Sequence, residues 1–307
     1  ILRHYLKRGV EMAYVLKTHD LTKRFGDTIA VNAVNMTIER GDIYGCVGEN
    51  GAGKSTLIRL ITGIAKPTSG SFELNKSDRL GAMAAVVESP GLHLSLSAEA
   101  NLAYQCRLLG LDGAKERIKR TLETVGLDYL IGSKKTAKNF SLGMKQRLGL
   151  AMALIGDPEF IVLDEPMNGL DPMGIVQIRE LIKSLNEEKG ITFFISSHIL
   201  SELDKVATKY GFLSHGKLLR EVDAAELHSS QEAIKITFLN PIDAGIKALL
   251  ADYDFEVLQD KTVLIKGHSD INKLMKAFIE ANVAVGSVEV LNKGIEDYYL
   301  EIIGGKK

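Results

Sequence analysis

Gly48-Glu49-Asn50-Gly51-Ala52-Gly53-Lys54-Ser55 decides how this chain is read. It fits G-x-x-x-x-G-K-[ST], in which glycines let successive backbone N–H groups turn inward as an anion-binding nest capped by a helix N-terminus. In that reading Lys54 reaches the β- and γ-phosphates of a nucleotide, and the Ser55 hydroxyl ligates Mg²⁺. Residues from Gly48 to Thr56 form the cradle. The setting argues against a chance glycine-rich turn. An apolar strand, Ile43–Val47, precedes the loop, and residues 56–62 follow as a helical pattern with Leu57, Leu60 and Ile61 on one face.

Outward from the loop, strands and helices alternate. Residues 31–36 read as a strand before Ile43–Val47, and residues 84–87, 160–163 and 191–195 as further strands. Most are short apolar runs without alternation, the pattern of strands covered on both faces. Helical patterns fall at 98–109, 114–125, 144–155 and 175–188. This order predicts an α/β domain with a mainly parallel sheet. Residues 92–154 hold consecutive helices and no strand, which predicts a helical subdomain at about 90–155. Beyond Gly216 the pattern becomes β-α-β-β-α-β, the ferredoxin-like order. The expected division is an extension over 1–14, an ATPase-type domain over 15–229 and a small α+β accessory domain over 230–307.

The 307 residues carry 38 Lys and Arg against 39 Asp and Glu, a formal net charge of −1. That balance leaves no basic footprint for nucleic acid, so none is expected as a partner. No apolar run approaches the roughly 18 residues of a membrane span. Cys46 and Cys106 are too few for a disulfide framework. A reduced, cytoplasmic chain is expected. Residues 1–11 are basic, but no apolar core follows, so they are not read as a signal peptide; Met12 could be the natural start.

A second chemical signal is Phe160-Ile161-Val162-Leu163-Asp164-Glu165, an apolar strand ending in two carboxylates. Ligands gather at the carboxyl ends of such strands. Asp164 is thereby placed near Mg²⁺ and Glu165 beside the γ-phosphate, as a general base for water.

Phe140-Ser141-Leu142-Gly143-Met144, about 20 residues before that carboxylate strand, resembles the signature loop of ATP-binding cassette (ABC) ATPases. Phe140, Leu142 and Met144 depart from the usual L-S-G-G-Q, whereas Ser141 and Gly143 keep the phosphate-contacting pair. Alone, the loop is also explained as a serine cap on the following helix. Further resemblances follow in family order. Asn168-Gly169-Leu170-Asp171-Pro172 is similar to the D-loop, which implies that Asp171 faces a partner subunit. His198, after Ser196-Ser197, stands where the family keeps its switch histidine, and Phe25 where it stacks an aromatic ring on adenine. Glu88, in Val87-Glu88-Ser89-Pro90, replaces the usual glutamine that ligates Mg²⁺; a carboxylate is also a hard-cation ligand.

The resemblance implies an ATPase subunit using ATP and Mg²⁺, with a P-loop ABC core. It implies a head-to-tail homodimer, each ATP lying between one copy's phosphate loop and Ser141, Gly143 and Met144 of the other. It also implies a separate membrane permease, which would hold the chain at the inner face of the membrane. Glu88, the degenerate signature and FISSHILSEL (194–203) resemble the bacitracin and lantibiotic exporter subgroup. Two rivals are a non-transport ABC ATPase and a regulatory ATPase gated by the carboxyl-terminal domain.

Overall fold

The computed structural model describes residues 14–266, 270–292 and 294–304, so the basic segment 1–13 lies outside them. The chain divides into two compact units, Ile1–Glu221 and Val222–Lys307. The division falls ahead of residue 230, because residues 224–231 form a helix leading into the second unit's first complete strand.

The first unit is built on a six-stranded sheet. Its order is β10 (Lys217–Asp223), β9 (Lys209–Ser214), β4 (Ile43–Val47), β8 (Thr192–Ser197), β7 (Phe160–Asp164) and β6 (Met83–Val86). β4 runs parallel to β8 and β9, and β7 runs parallel to β8 and β6. Five carboxyl ends therefore share one rim. β4, β7 and β8 are buried along their whole length, as continuous apolar strands covered on both faces must be.

Helix α1 (Lys54–Ile61) leaves the rim after β4 and buries Leu57, Ile58, Leu60 and Ile61. α5 (Pro172–Lys189) follows β7, and the short α6 (Leu200–Leu203) follows β8. Between β6 and β7 lie α2 (Ala98–Leu108), α3 (Ala114–Thr124) and α4 (Leu142–Leu154). Among the described residues no named strand interrupts them. Ser97 and Thr136 form an isolated bridge.

A second, antiparallel sheet joins β1 (Tyr14–Phe25) to β2 (Thr28–Val34), β3 (Thr37–Glu39) and β5 (Ser69–Leu74). The strand expected over 31–36 is thus corrected: β2 ends at Val34, and β3 begins at Thr37 on the other half of β1. Asn35 fixes the break, accepting from the Asp20 N–H at 2.8 Å and donating to the Asp20 carboxylate at 2.8 Å.

The second unit places α7 (Ala224–Gln231) before β11 (Glu232–Phe238), α8 (Ala244–Leu249), β12 (Phe255–Gln259), β13 (Thr262–Lys266), α9 (Ile271–Glu280), β14 (Val285–Asn292) and α10 (Ile295–Gly304). Its sheet runs β12-β13-β11-β14, antiparallel throughout, which is the ferredoxin-like arrangement. Ile234, Ile236 and Phe238 alternate inward and pack with Leu274 and Phe278 of α9 in one core. No helix among the described residues is long and apolar enough to cross a membrane.

Candidate active site

The turn from β4 into α1 needs a left-handed residue at its end. Gly53 supplies it at φ +109°, where an added Cβ would also collide with the Ala30 carbonyl. No side chain caps α1 and no acidic residue sits in its first turn. Its leading N–H groups are therefore left for an anion. They open on a cavity of about 420 Å³ lined by Ala30, Glu49, Asn50, Gly51, Gly53, Lys54, Ser55, Thr56, Glu165, Asn168 and His198.

Lys54 is almost wholly buried at 6% exposure. Its ammonium is held by the loop, donating to the Gly48 carbonyl at 2.6 Å and the Glu49 carbonyl at 3.2 Å. Its remaining charge partner is Glu165, with Oε1 3.7 Å away. His198 Nδ1 lies 2.6 Å from the other carboxylate oxygen of Glu165, and the His198 N–H donates to that oxygen at 3.3 Å. Glu165 is thus bracketed by Lys54 and His198, and its backbone φ of +51° is one few non-glycine residues adopt.

Ser196, wholly buried on β8, aligns both carboxylate residues. Its hydroxyl donates to Asp164 Oδ1 at 2.6 Å and accepts from the Glu165 N–H at 3.1 Å. Asp164 stands opposite Ser196 in the parallel β7–β8 register. Sequence gave Ser196 no role, since a strand-end serine carries no motif; pairing alone locates it. Asn168, read only as part of the D-loop, also lines the phosphate cavity. Cys46 lies within β4, and burial pushes its thiol up to about 12, so it is an inert core residue.

Phe25 ends β1, 53% exposed, with the Lys23 ammonium 5.1 Å from its ring centre. It does not line the cavity; Ala30, on the β2 side of the same hairpin, does. Glu88 pairs instead with Arg59 and is likewise not among the lining residues.

Ser141 caps α4, its hydroxyl accepting from the Met144 N–H at 3.2 Å. Asp171 caps α5, accepting from the Gly174 N–H at 2.7 Å. The Met144 side chain is buried, and Met144 is not among the residues lining the depression beside Ser141. Both helix starts border a second depression of about 330 Å³, which includes Ser141, Leu142, Gly143, Gly169, Leu170 and Asp171. It shares no residue with the phosphate cavity. Leu142 and Met173, which line it, and Val176 farther along α5 leave apolar surface exposed, at 45%, 65% and 38%.

Residues 31–168 match the family model described as ABC transporter. The bacitracin transport ATP-binding protein BcrA of Bacillus licheniformis is 40% identical over 305 residues, covering 96% of this chain and 99% of that protein. The lantibiotic transport ATP-binding protein SrtF of Streptococcus pyogenes is 43% identical over 218 residues, covering 69% of this chain and 93% of that one. Among solved structures, a dimeric ATP-binding cassette, MJ0796, in a post-hydrolysis state with ADP and Pi, superposes with a TM-score of 0.60 at 25% identity. That match covers 68% of this chain and 98% of that one.

Proposed function

This chain belongs to the ABC transporter family, and within it we propose that it is the ATP-hydrolysing subunit that powers export through a separate membrane-spanning protein. The relatives named for bacitracin and lantibiotic transport make a peptide antibiotic the candidate cargo. The permease would hold the subunit at the inner face of the membrane. The carrying observation is the convergence of Lys54, Ser55, Glu165 and His198 on one cavity at the sheet's carboxyl rim.

Lys54 exchanges its two carbonyl contacts for the β- and γ-phosphates, while the first-turn N–H groups of α1 hold the phosphate oxygens. Ser55, which lines the cavity, with Asp164 and Glu88 at the strand ends beside it, would supply the oxygen donors for Mg²⁺. Their chemistry fits, since Mg²⁺ on a nucleotide takes one or two carboxylates besides the phosphates, and Asp164 ends β7 next to Glu165, which lines the cavity. Among the described residues no cluster of three or more His, Cys, Asp or Glu would hold an ion by itself. Bound there, Mg²⁺ would neutralise charge on the terminal phosphates. Glu165 accepts the proton of the attacking water, and His198, 2.6 Å away, fixes the carboxylate's orientation.

A second copy completes the site. Ser141 and Gly143 border a depression apart from the chain's own phosphate cavity, and apolar surface is exposed around it. Head-to-tail pairing would bring that depression over the partner's nucleotide and cover Leu142, Met173 and Val176.

The test is Glu165→Gln, which keeps the shape of the side chain and removes its proton acceptor. The variant is expected to bind ATP, to hydrolyse it about a hundredfold or more slowly, and to elute as a dimer with ATP. Normal turnover with monomeric elution would remove Glu165 from its role. Affinity purification from solubilised membranes should retain a multi-span membrane protein.

A further inference from the structure

Glu88 follows β6 at the carboxyl rim, yet its carboxylate is paired with the Arg59 guanidinium. Its backbone φ of +62° lies in the left-handed region, which a residue with a Cβ rarely enters unless its surroundings hold it there. Arg59 sits four residues beyond Ser55 on α1. Positions i and i+4 share one helix face and are about 6 Å apart along the axis. Ser55 lines the phosphate cavity. The residue that holds Glu88 is therefore rooted one helical turn from the hydroxyl Glu88 would join at Mg²⁺.

We propose that Arg59 is a positioning residue that keeps Glu88 off the metal side of the cavity until Mg²⁺–nucleotide draws the carboxylate away. This rests on the reading of Glu88 as a metal-facing carboxylate. Arg59 has a structural use of its own, a cation in the last turn of α1, which favours the helix dipole. That use needs no carboxylate from the segment after β6. The pair is easily broken, because its side chains are 44% and 61% exposed and exposed ion pairs are weak. Release of Glu88 also has a mechanical neighbour. Pro90, two residues on, fills the space over Gly149 of α4, the helix that Ser141 caps. Arg59 thus sets the resting position of a segment packed against the signature helix.

The experiment is a Mg²⁺ titration of fluorescent ATP-analogue binding to the full chain. It compares wild type, Arg59→Ala, Arg59→Gln, Arg59→Lys, Glu88→Ala and Arg59→Ala/Glu88→Ala, each checked for folding by circular dichroism. Removing the guanidinium is expected to lower the half-saturating Mg²⁺ concentration by about two- to fivefold, the scale of an exposed ion pair. Arg59→Gln, which keeps a long side chain on α1, should shift as Arg59→Ala does; Arg59→Lys should stay near wild type. In the Glu88→Ala background the shift should vanish. Unchanged titrations in Arg59→Ala and Arg59→Gln, with a weakened one in Glu88→Ala, would overturn the role of Arg59 and leave the Glu88 reading standing. A shift that persists without Glu88 would also overturn it. An unchanged titration in Glu88→Ala would remove the Glu88 reading, and this proposal with it.

Discussion

At the residue scale, Lys54 is a buried cation whose present partners are the loop's own carbonyls. Those contacts satisfy the ammonium and can be exchanged for phosphate oxygens, whose negative charge the already buried ammonium offsets. A charged hydrogen bond to such an oxygen contributes on the order of 1.5–3 kcal/mol. Lys54→Ala should therefore weaken ATP binding by roughly ten- to a hundredfold or more, read by equilibrium titration of the purified variant. Wild-type affinity would sink the phosphate-loop assignment. Lys54, Ser55 and Glu165, which the sequence motifs single out, line one cavity, the first two set there by the strand–loop–helix turn and Glu165 by its place just past β7. Ser196 was not legible in sequence, since its two hydrogen bonds exist only once β7 and β8 lie side by side. For Glu88 the sequence offered a carboxylate at a strand end, but its pairing with Arg59 depends on where α1 passes the rim.

At the element scale, periodicity found the clean apolar runs and the regularly amphipathic elements, and missed strands whose composition is mixed. β4, β7 and β8 are buried throughout and read as plain apolar runs. β5 is mostly exposed, and β1 mixes buried Val15, Leu16 and Leu21 with lysine, histidine and aspartate, so neither shows a clean pattern. α4 presents a sharper case. Gly149 lies inside it, where alanine would ordinarily stabilise a helix by about 1 kcal/mol. A Cβ there would meet the Pro90 ring at 2.5 and 2.7 Å, and a proline ring cannot swing aside as a flexible side chain would. Overpacking costs of about 1–3 kcal/mol exceed the propensity gain. Gly149→Ala is expected to lower stability in a urea titration, with an unchanged slope. A stabilised variant would show that Pro90 yields freely, and that the Glu88 segment is not tied to α4.

At the scale of the whole molecule, each unit has its own core. One is built around α1, β1, β4 and β7, the other around β11, β13 and α9. Every residue lining the phosphate cavity belongs to the first. The relatives point the same way, because the match to SrtF spans 69% of this chain yet 93% of SrtF itself. That match leaves close to a third of this chain uncovered, whereas the match to BcrA reaches across 96% of it. We accordingly expect a chain ending at Asp223, the last residue of β10, to fold and to bind ATP within a few-fold of the full chain's affinity. Circular dichroism and nucleotide titration of the truncated protein measure both. Loss of the second unit should alter what phosphate chemistry does not need, so co-purification with the membrane partner is the readout to follow beside it. A truncated chain that folds but cannot bind ATP would show that the second unit takes part in the phosphate site, and would overturn the assignment of that site to the first unit alone.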